Sequence, residues 1–381
     1  MKKISAGVIG LGFIGAAHVE ALRRVGGVEV VAVSDANAAS LKRAAEGMNV
    51  PKAYEDYREL LNDRAIDAVH ICTPNAMHFK MVKDALEAGK HVICEKPLAV
   101  SVTEAESLVK LAEKTGLRNA VNFNIRFYPL IQELRGMVAA GELGDVFAIH
   151  GSYLQDWLFY DTDYNWRLEP ALAGESRAVA DIGSHWMDAI EHIAGLKIVE
   201  VLADFATFHK QRKKPSRPVE TYSGKLLRPE DYVAVDINTE DYATVVLGFS
   251  NGARGVLTVS QVAAGRKNRL SFEIDASKKA VSWDSERPNE MWLGDRDRAN
   301  EMLFKDPSLV KERTRKYISY PGGHNEGFPD TFKQLYREFY SFVSGEASVM
   351  PCYATFRDGL RELQLCEKIV ESSRKRAWVK I

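Results

Sequence analysis

Three clusters of residues in this sequence have types and spacings that could do chemistry. They are a glycine-rich turn at residues 10–15, Lys96 at the end of an apolar run, and the pair Asp181 and His185. Together they offer an anion-binding backbone, an ammonium group, a carboxylate and an imidazole. These are the groups that proton transfer beside a bound nucleotide requires.

The turn Gly10-Leu11-Gly12-Phe13-Ile14-Gly15 directly follows an apolar strand and precedes a helix. In dinucleotide-binding turns the first glycine permits the tight turn and the second lets the backbone approach a pyrophosphate. The third allows close packing of the helix on the strand. A strand–helix turn without a ligand is the alternative, but the helix N-terminus that follows predicts dinucleotide binding.

Asp35 stands at the end of the second predicted strand, twenty residues beyond Gly15. A carboxylate at this position binds the adenosine ribose hydroxyls and repels a 2′-phosphate, and Ala36-Asn37 supply no arginine to accommodate one. The sequence therefore favours NAD over NADP. Lys42 and Arg43 on the next helix leave NADP as the alternative.

Two further segments follow predicted strands at their carboxyl ends, where open α/β sheets bind ligands. One contains Thr73, Pro74, Asn75 and His78, and the other is Glu95-Lys96-Pro97. Thr73 and Asn75 could instead only cap a helix, and Lys96 could be a surface lysine. At the end of a buried parallel strand, however, we expect the lysine to point into the ligand crevice.

Asp181 and His185 are four residues apart and share a face if a helix begins here. Asp181 could alternatively be only the helix N-cap. A metal site made by His185, Asp188 and His192 is a further alternative. One helix seldom supplies all the ligands and no cysteine is near, so we expect no metal.

The elements that position these residues change character along the chain. Over roughly the first 120 residues, apolar strands alternate with amphipathic helices, which predicts a parallel sheet covered on both faces. After Pro129, successive strands with hairpin signals predict a mostly antiparallel sheet. The fold class is therefore α/β with two different sheets. The basic stretch His209–Arg217 is predicted to be a solvated insertion loop.

Composition excludes several classes of function for this chain of 381 residues. Because 51 Lys and Arg balance 52 Asp and Glu, we expect no nucleic-acid partner and no binding to an anionic membrane. No stretch reaches the roughly 18 uninterrupted apolar residues of a membrane span. Four cysteines without a C-x-x-C pair predict reduced thiols in a cytoplasmic protein.

In combination, the glycine turn, Glu95-Lys96-Pro97, Asn124-Ile125-Arg126-Phe127 and the Asp181–His185 pair resemble the Gfo/Idh/MocA oxidoreductases. The resemblance spans nearly the whole chain. It implies a Rossmann domain at residues 1–123 that binds NAD. It also implies a C-terminal α/β domain at residues 124–381 with an open, mostly antiparallel sheet, and a homo-oligomer, either a dimer or a tetramer. The last helix could pack back on the first domain.

By motif position, the resemblance implies that Lys96, Asp181 and His185 are catalytic. It implies cofactor contacts from the glycine turn, including Phe13 and Ile14, and from Asp35, Thr73, Pro74, Asn75, His78, Glu95, Lys96, Asn124 and Arg167. It implies substrate contacts from Lys96, Arg126, Tyr153, Trp166, Asp181, His185 and His324. The segment Tyr320–Gly327 and the basic insertion are most similar to the levoglucosan and inositol dehydrogenase branch. Ala173-Gly174-Glu175-Ser176 departs from the Gly-Gly-Gly common in the family.

The implied reaction is the oxidation of a secondary hydroxyl of a sugar or cyclic polyol, with hydride transfer to nicotinamide. His185 would take the hydroxyl proton, because the ordinary pKa of histidine, about 6.5, suits reversible transfer near neutral pH. Lys96 would hydrogen-bond the reacting oxygen or could itself be the base. The resemblance also implies a cis Lys96–Pro97 bond that orients the lysine. The alternatives are an NAD-dependent glycosidase, an NADP-dependent keto-sugar reductase and a non-catalytic sensor.

Overall fold

The computed structural model describes residues 3–216, 228–347 and 350–381. By compactness, the described residues divide into two units. The first unit runs to Phe127 and includes Phe328–Leu363, and the second comprises Tyr128–Gly327 and Gln364–Ile381. The functional division into residues 1–123 and 124–381 stays a prediction.

The first unit is built on a six-stranded parallel sheet. Its strands are β1 (Ile4–Ile9), β2 (Val28–Ser34), β3 (Lys52–Tyr54), β4 (Ala68–Ile71), β5 (His91–Cys94) and β6 (Asn119–Val121). They are arranged in the order β3-β2-β1-β4-β5-β6, and every neighbouring pair is parallel. All four residues of β4 are buried, as expected where helices cover both faces. The strand order reverses between β1 and β4, which is where such sheets bind ligands.

Helices connect and cover these strands. In chain order they are α1 (Phe13–Arg23), α2 (Ala38–Gly47), α3 (Tyr57–Asn62), α4 (Asn75–Glu87), α5 (Val102–Thr115), α6 (Pro129–Ala139), α7 (Pro170–Ala173), α8 (Ser184–Ala194), α9 (Glu312–Arg315), α10 (Phe328–Val343) and α11 (Phe356–Lys375). The side chains of Asn37, Asp56 and Ser101 accept backbone N–H groups in the first turns of α2, α3 and α5. Within the first unit, α10 packs on α1 and on the 3-10 turn Asn124–Phe127.

The second unit contains a nine-stranded sheet and a separate two-stranded sheet. Its strands are β7 (Val146–Leu154), β8 (Ile198–Ala206), β9 (Gln211–Pro215), β10 (Tyr232–Asp236), β11 (Tyr242–Phe249), β12 (Arg254–Ser260), β13 (Arg269–Ala276), β14 (Ala280–Asp284), β15 (Glu290–Gly294), β16 (Glu301–Phe304) and β17 (Val379–Lys380). The large sheet has the order β16-β15-β14-β13-β7-β12-β11-β8-β17. Its strand pairs are antiparallel except β7 with β12, which are parallel. Buried and half-buried residues alternate along β13, as expected for a sheet with one face on the core.

The basic stretch His209–Arg217 corrects one prediction. Its residues 211–215 form β9, which pairs with β10, rather than a solvated loop. Arg212 is 1% exposed, and its guanidinium donates to Asp241 Oδ1 at 2.8 Å and to the Tyr160 carbonyl at 2.8 Å. Asp241 also pairs with the buried Arg177. Because the Asp241 carboxylate compensates the charge of the guanidinium, a charged residue can be buried here. Arg217 lies outside the described residues.

The predicted α/β class, with a doubly wound parallel sheet and a second, mostly antiparallel sheet, is confirmed. Strands β3, β15 and β16 were not predicted, because they are short and lack a clear apolar alternation. Within the described ranges, none of the helices is long and apolar enough to span a membrane.

Candidate functional site

The glycine turn between β1 and α1 has the backbone that the sequence predicts. Gly10 has a φ of 90°, and a Cβ on Gly15 would lie 1.9 Å from the Gly10 carbonyl oxygen. Only glycine fits both positions. A Cβ on Gly12 would meet nothing within 4 Å, and Phe13 at the start of α1 is 65% exposed. The turn is therefore tightly packed on its protein side and open on the side where a ligand would bind.

Asp35 follows β2 and is fixed by two backbone groups. Its Oδ2 accepts from Leu11 N–H at 2.8 Å, and its Oδ1 accepts from Asn37 N–H at 2.9 Å. The first bond ties this carboxylate to the glycine turn itself. The carboxylate predicted to bind the ribose hydroxyls and the turn predicted to bind the pyrophosphate are therefore joined by a hydrogen bond.

His78 joins the loops that follow β4 and β5. Its Nδ1 lies 2.7 Å from the Pro97 carbonyl oxygen and its Nε2 lies 2.8 Å from the Thr73 carbonyl oxygen. Burial lowers the pKa of His78, while the two carbonyls partly oppose this shift. Both nitrogens contact backbone carbonyls, so His78 supports the two loops, and its predicted contact with a cofactor stays a prediction.

The alternative that Thr73 and Asn75 cap α4 is wrong. The N-cap of α4 is Pro74, which makes no side-chain capping bond, and the Thr73 hydroxyl instead contacts Met81 Sδ at 3.5 Å. Thr73 and Asn75 are half-buried at the carboxyl end of β4. This location is compatible with the predicted ligand-binding role.

Glu95 and Lys96 follow β5, and the Lys96–Pro97 peptide bond is cis, as the resemblance implied. Glu95 is 8% exposed and lies 2.9 Å from His18 Nε2. Burial alone would raise the pKa of Glu95, but the hydrogen bond and charge of His18, together with Lys96, lower it to about 2. Glu95 is thus an ionised group held by the protein next to a half-buried lysine, and its predicted contact with a cofactor stays a prediction.

Asn124 and Arg126 are engaged by partners within the first unit. The Asn124 amide donates to Thr331 Oγ1 at 2.7 Å, and the Arg126 guanidinium donates to Asp358 Oδ1 at 3.1 Å. Both residues are buried. These bonds fix both side chains within the first unit, and the predicted cofactor contact of Asn124 and substrate contact of Arg126 stay predictions. The partners are more than 200 residues away, which is why the sequence did not indicate them.

Asp181 lies in a π-helical turn, Val179–Gly183, directly before α8. The alternative that it is the N-cap of α8 is therefore wrong. Its Oδ1 accepts from Arg167 Nε at 3.3 Å, and its Oδ2 accepts from Gln261 Nε2 at 2.8 Å. Single π-helical turns occur frequently at functional sites. The Arg167 guanidinium also stacks on Trp166, 4.4 Å from the ring centroid.

His185 lies in the first turn of α8 and is 8% exposed. Its ring centroid is 6.3 Å from that of Tyr153, whose hydroxyl donates to Asn268 Oδ1 at 2.8 Å. The second unit thus holds a carboxylate, an imidazole and a guanidinium with two aromatic rings. Carboxylates and aromatic faces are suited to hydroxyl groups and to the C–H faces of a sugar ring.

His324 is exposed and lines a cavity of about 600 Å³ in the second unit. Glu286, Arg287, Phe304 and Lys305 also line this cavity, whereas Asp181 and His185 do not. His324 therefore does not share this cavity with the candidate substrate residues Asp181 and His185. Its predicted substrate contact stays a prediction.

The metal alternative named three residues of α8. In the described part of the chain, the three residues whose side chains could together bind a metal ion are instead His150, Glu273 and Asp275. Their potential ligand atoms lie within 4.8 Å of one another. His150 and Glu273 are direct partners in the β7–β13 pairing, so strand register explains their closeness. Residues of α8 are not part of this group.

Two polar residues that the sequence analysis missed contact the candidate groups. His18, three residues after Gly15, contacts Glu95, and Gln261, after β12, contacts Asp181. His18 lies on the apolar face of the helix predicted after the glycine turn, and a histidine at such a position indicates a buried polar partner. Gln261 offered no such signal, because glutamine is common at strand ends.

Two family models match the chain. One is described as the oxidoreductase family with an NAD-binding Rossmann fold, over residues 4–123, and the other as the GFO/IDH/MocA C-terminal domain, over residues 131–282. Levoglucosan dehydrogenase of Pseudarthrobacter phenanthrenivorans is 27% identical, over 100% of this chain and 99% of its own length. Myo-inositol 2-dehydrogenase of Thermotoga maritima is 30% identical, over 78% of this chain and 81% of its own length.

A solved levoglucosan dehydrogenase, in complex with NADH and L-sorbose, is similar to the whole of this chain. Its TM-score is 0.89 with 25% identity, and the match covers 100% of this chain and 99% of that one. The similarity therefore extends over both sheets.

Proposed function

The chain belongs to the Gfo/Idh/MocA family of NAD-binding oxidoreductases, and we propose that it oxidises a secondary hydroxyl of a sugar or cyclic polyol. The observation that carries the proposal is the hydrogen-bonded group formed by Asp181, Arg167 and Gln261, one helical turn before His185. A carboxylate on a helical turn that precedes an imidazole can accept a hydrogen bond from a substrate hydroxyl, while the imidazole removes a proton. Levoglucosan and inositol dehydrogenases among the relatives support this substrate class.

The residues of the first unit fit the cofactor. Bound NAD supplies the hydride acceptor. Backbone N–H groups of the glycine turn would hold its pyrophosphate, because a Cβ at Gly12 would meet only open space. Asp35, oriented by the Leu11 and Asn37 N–H groups, would hold the ribose hydroxyls and favour NAD over NADP. Thr73 and Asn75 would contribute further contacts.

Each candidate catalytic group has a proposed task. His185 accepts the proton of the reacting hydroxyl, and Asp181 accepts a hydrogen bond from a neighbouring hydroxyl to orient the ring. Lys96 donates a hydrogen bond to the reacting oxygen and stabilises its developing negative charge. Trp166, Tyr153 and Arg167 would complete the binding of the sugar and the cofactor.

A substrate panel tests the proposal. Inositols, monosaccharides and anhydrosugars are incubated with the protein and NAD, and NADH is followed by absorbance. We expect net NADH with at least one free polyol. Release of hydrolysed sugar without net NADH would instead indicate a glycosidase, and turnover only of keto-sugars with NADPH would indicate a reductase.

Replacing Lys96 tests its catalytic role. Lys96→Ala should lower kcat at least about 100-fold, because the reacting oxygen loses its charged donor, and NAD affinity should stay within a few-fold. Lys80→Ala is the matched control, since Lys80 is an exposed lysine of α4 that pairs with Asp84. A Lys96→Ala protein of near-normal kcat would remove this residue from the mechanism.

We also propose a homo-oligomer formed through the nine-stranded sheet. Phe147, Val256 and Met302 on three of its strands are 60%, 39% and 43% exposed, and a second copy of the chain would bury them. Light scattering should show a dimer or tetramer, and Phe147→Asp with Val256→Asp should shift it toward monomer. The four free thiols, three of them buried, fit a cytoplasmic location.

A further inference from the structure

Four buried side chains of the first unit form a continuous hydrogen-bonded line, which we call the histidine relay: Tyr340, His70, His18 and Glu95. The Tyr340 hydroxyl lies 2.9 Å from His70 Nε2, and His70 Nδ1 lies 2.9 Å from His18 Nδ1. His18 Nε2 lies 2.9 Å from Glu95 Oε1. Both imidazoles are fully buried and Tyr340 is 3% exposed. The relay ends at the residue that precedes Lys96.

Hydrogen-bond chemistry allows this relay two complete arrangements. Glu95 is ionised and can only accept, so His18 Nε2 donates to it in both. With His18 neutral, its Nδ1 accepts from His70 N–H, and His70 Nε2 accepts from the Tyr340 hydroxyl. With His18 protonated, its Nδ1 donates to His70, and His70 Nε2 donates to the Tyr340 oxygen. One added proton therefore reverses two hydrogen bonds and changes the tautomer of His70.

Neither His70 nor Tyr340 carries the added proton. Burial, with His18 close by, holds the pKa of His70 well below its usual range. Burial, with a further contribution from Asp67, raises the pKa of Tyr340 above its usual range. His70 and Tyr340 thus remain neutral in both arrangements. Only the direction of their hydrogen bonds changes.

The other groups that face His18 do not compete for this proton. The rings of Phe332 and Tyr336 on α10 have their centroids 5.6 and 5.1 Å from that of His18. Burial raises the pKa of Tyr336 well above its usual range, so it stays neutral. Asn122, which donates to Glu95 Oε1, carries no charge. Among these neighbours the charges belong to Glu95 and to the adjacent Lys96.

We propose that His18 is a positioning residue for Lys96 and that the histidine relay stores one exchangeable proton beside it. The inference rests on the proposed catalytic role of Lys96. With His18 neutral, the Glu95 carboxylate is an uncompensated negative charge next to Lys96. With His18 protonated, the imidazolium compensates that charge. Glu95 Oε2 also accepts the Lys96 backbone N–H at 3.3 Å, so the same residue orients the chain at Lys96.

A spectroscopic experiment tests the relay without any substrate. The protein is labelled with 15N-histidine, and imidazole shifts are followed from about pH 9 to about pH 5. We expect His70 to change from the Nδ1–H to the Nε2–H tautomer as His18 gains its proton. In His18→Gln, the new amide accepts from His70 and donates to Glu95 but cannot be protonated, so His70 should keep the Nδ1–H tautomer. A wild-type His70 tautomer that is constant over this range overturns the relay.

A kinetic experiment tests the link to Lys96. His18→Leu should lower kcat roughly 10- to 100-fold, with NAD affinity within a few-fold. His18→Gln should recover most of the kcat at its optimum, while its pH profile lacks one ionisation of the wild type. His91→Gln, a histidine of β5 outside the relay, is the matched control. A His18→Gln profile identical to that of the wild type overturns the positioning role, including when His18→Leu fails to fold.

The two proposals fail in different ways. A fully active Lys96→Ala protein overturns the proposed function and leaves the tautomer change of His70 in place. An active Lys96-dependent enzyme with a constant His70 tautomer overturns the relay alone.

Discussion

At the scale of single residues, the sequence could identify groups whose role is set by their own neighbours in the chain. Gly10 and Gly15 have a backbone that only glycine fits, and Asp35 is oriented by Leu11 and Asn37, all within about 25 residues. Arg126 shows the limit, because its partner Asp358 comes from α11. A motif predicts that a residue matters, and only the fold decides whether it faces a ligand or the protein.

Two variants of Asp35 can separate its role in the preference for NAD from its role in holding the glycine turn. Asp35→Ala removes both the charge and the bond to Leu11, so we expect it to bind NAD more weakly and to lose discrimination against NADP by roughly 10-fold or more. Asp35→Asn keeps an acceptor for a backbone N–H and should lose only discrimination.

The measurement is kcat/KM with NAD and with NADP for each variant. Asp56→Ala, which removes the cap of α3, serves as the control for a lost surface carboxylate. An unchanged NAD-to-NADP ratio in both Asp35 variants would exclude this residue from cofactor selection.

At the scale of elements, the glycine turn makes a prediction that distinguishes folding from binding. Gly15→Ala places a methyl 1.9 Å from the Gly10 carbonyl oxygen, so it should destabilise the protein by about 1–3 kcal/mol and abolish NAD binding. Gly12→Ala meets no protein atom within 4 Å and should leave the melting temperature unchanged while weakening NAD binding at least about 10-fold.

Thermal unfolding and fluorescence titration with NADH measure the two effects. Gly47→Ala at the end of α2 is the matched control, because its added methyl also meets nothing within 4 Å. Equal NADH affinity in Gly12→Ala and Gly47→Ala would show that the pyrophosphate does not lie against Gly12.

The β9–β10 hairpin is an element that sequence reasoning described wrongly, and the reason is electrostatic. A run of basic residues is ordinarily solvated, but Arg212 is buried with Arg177 around the carboxylate of Asp241. Asp241→Asn replaces the carboxylate between two buried guanidinium groups with an uncharged amide, so we expect a loss of about 3–5 kcal/mol in the free energy of unfolding.

Urea denaturation measures this loss. Asp236→Asn, an exposed residue of β10 bonded to Gln211, is the control and should cost less than about 1 kcal/mol. A small effect of Asp241→Asn would mean that water reaches the cluster.

At the scale of the whole molecule, we expect buried carboxylates to determine how the stability of the fold decreases at acidic pH. The pKa of Glu95 is lowered from an ordinary 4.5 to about 2, because the interactions with His18 and Lys96 outweigh burial. A carboxyl group whose pKa is lower in the folded protein than in the unfolded chain stabilises the fold at pH values above its pKa in the unfolded chain. This stability is lost as the pH falls from about 4.5 toward 2. The loss is on the order of 3 kcal/mol.

Glu95→Gln should therefore flatten the decrease of melting temperature between about pH 5 and about pH 3. Glu371→Gln is an informative control. The pKa of Glu371 is also lowered to about 2 by Lys368 and Lys375, but this carboxylate is at the surface, where solvent screens the pairs. Its variant should follow the wild type, and equal flattening in both would contradict the role of burial.

Most of the fold could be predicted from periodicity, since the alternation of strands and helices up to β6 and the successive strands after β7 follow local patterns. The pairing of β7 could not. Its neighbours in the sheet are β12 and β13, and nothing within β7 itself specifies partners so far along the chain.

This arrangement has a consequence for biosynthesis. β7 leaves the ribosome roughly 100 residues before β12 does, which at roughly 5–20 residues per second is a delay of about 5 to 20 s. Throughout that interval both edges of β7 lack the strands that will cover them. The nascent polypeptide should accordingly depend on chaperone capture at this stage more than a protein whose sheets are assembled from successive hairpins.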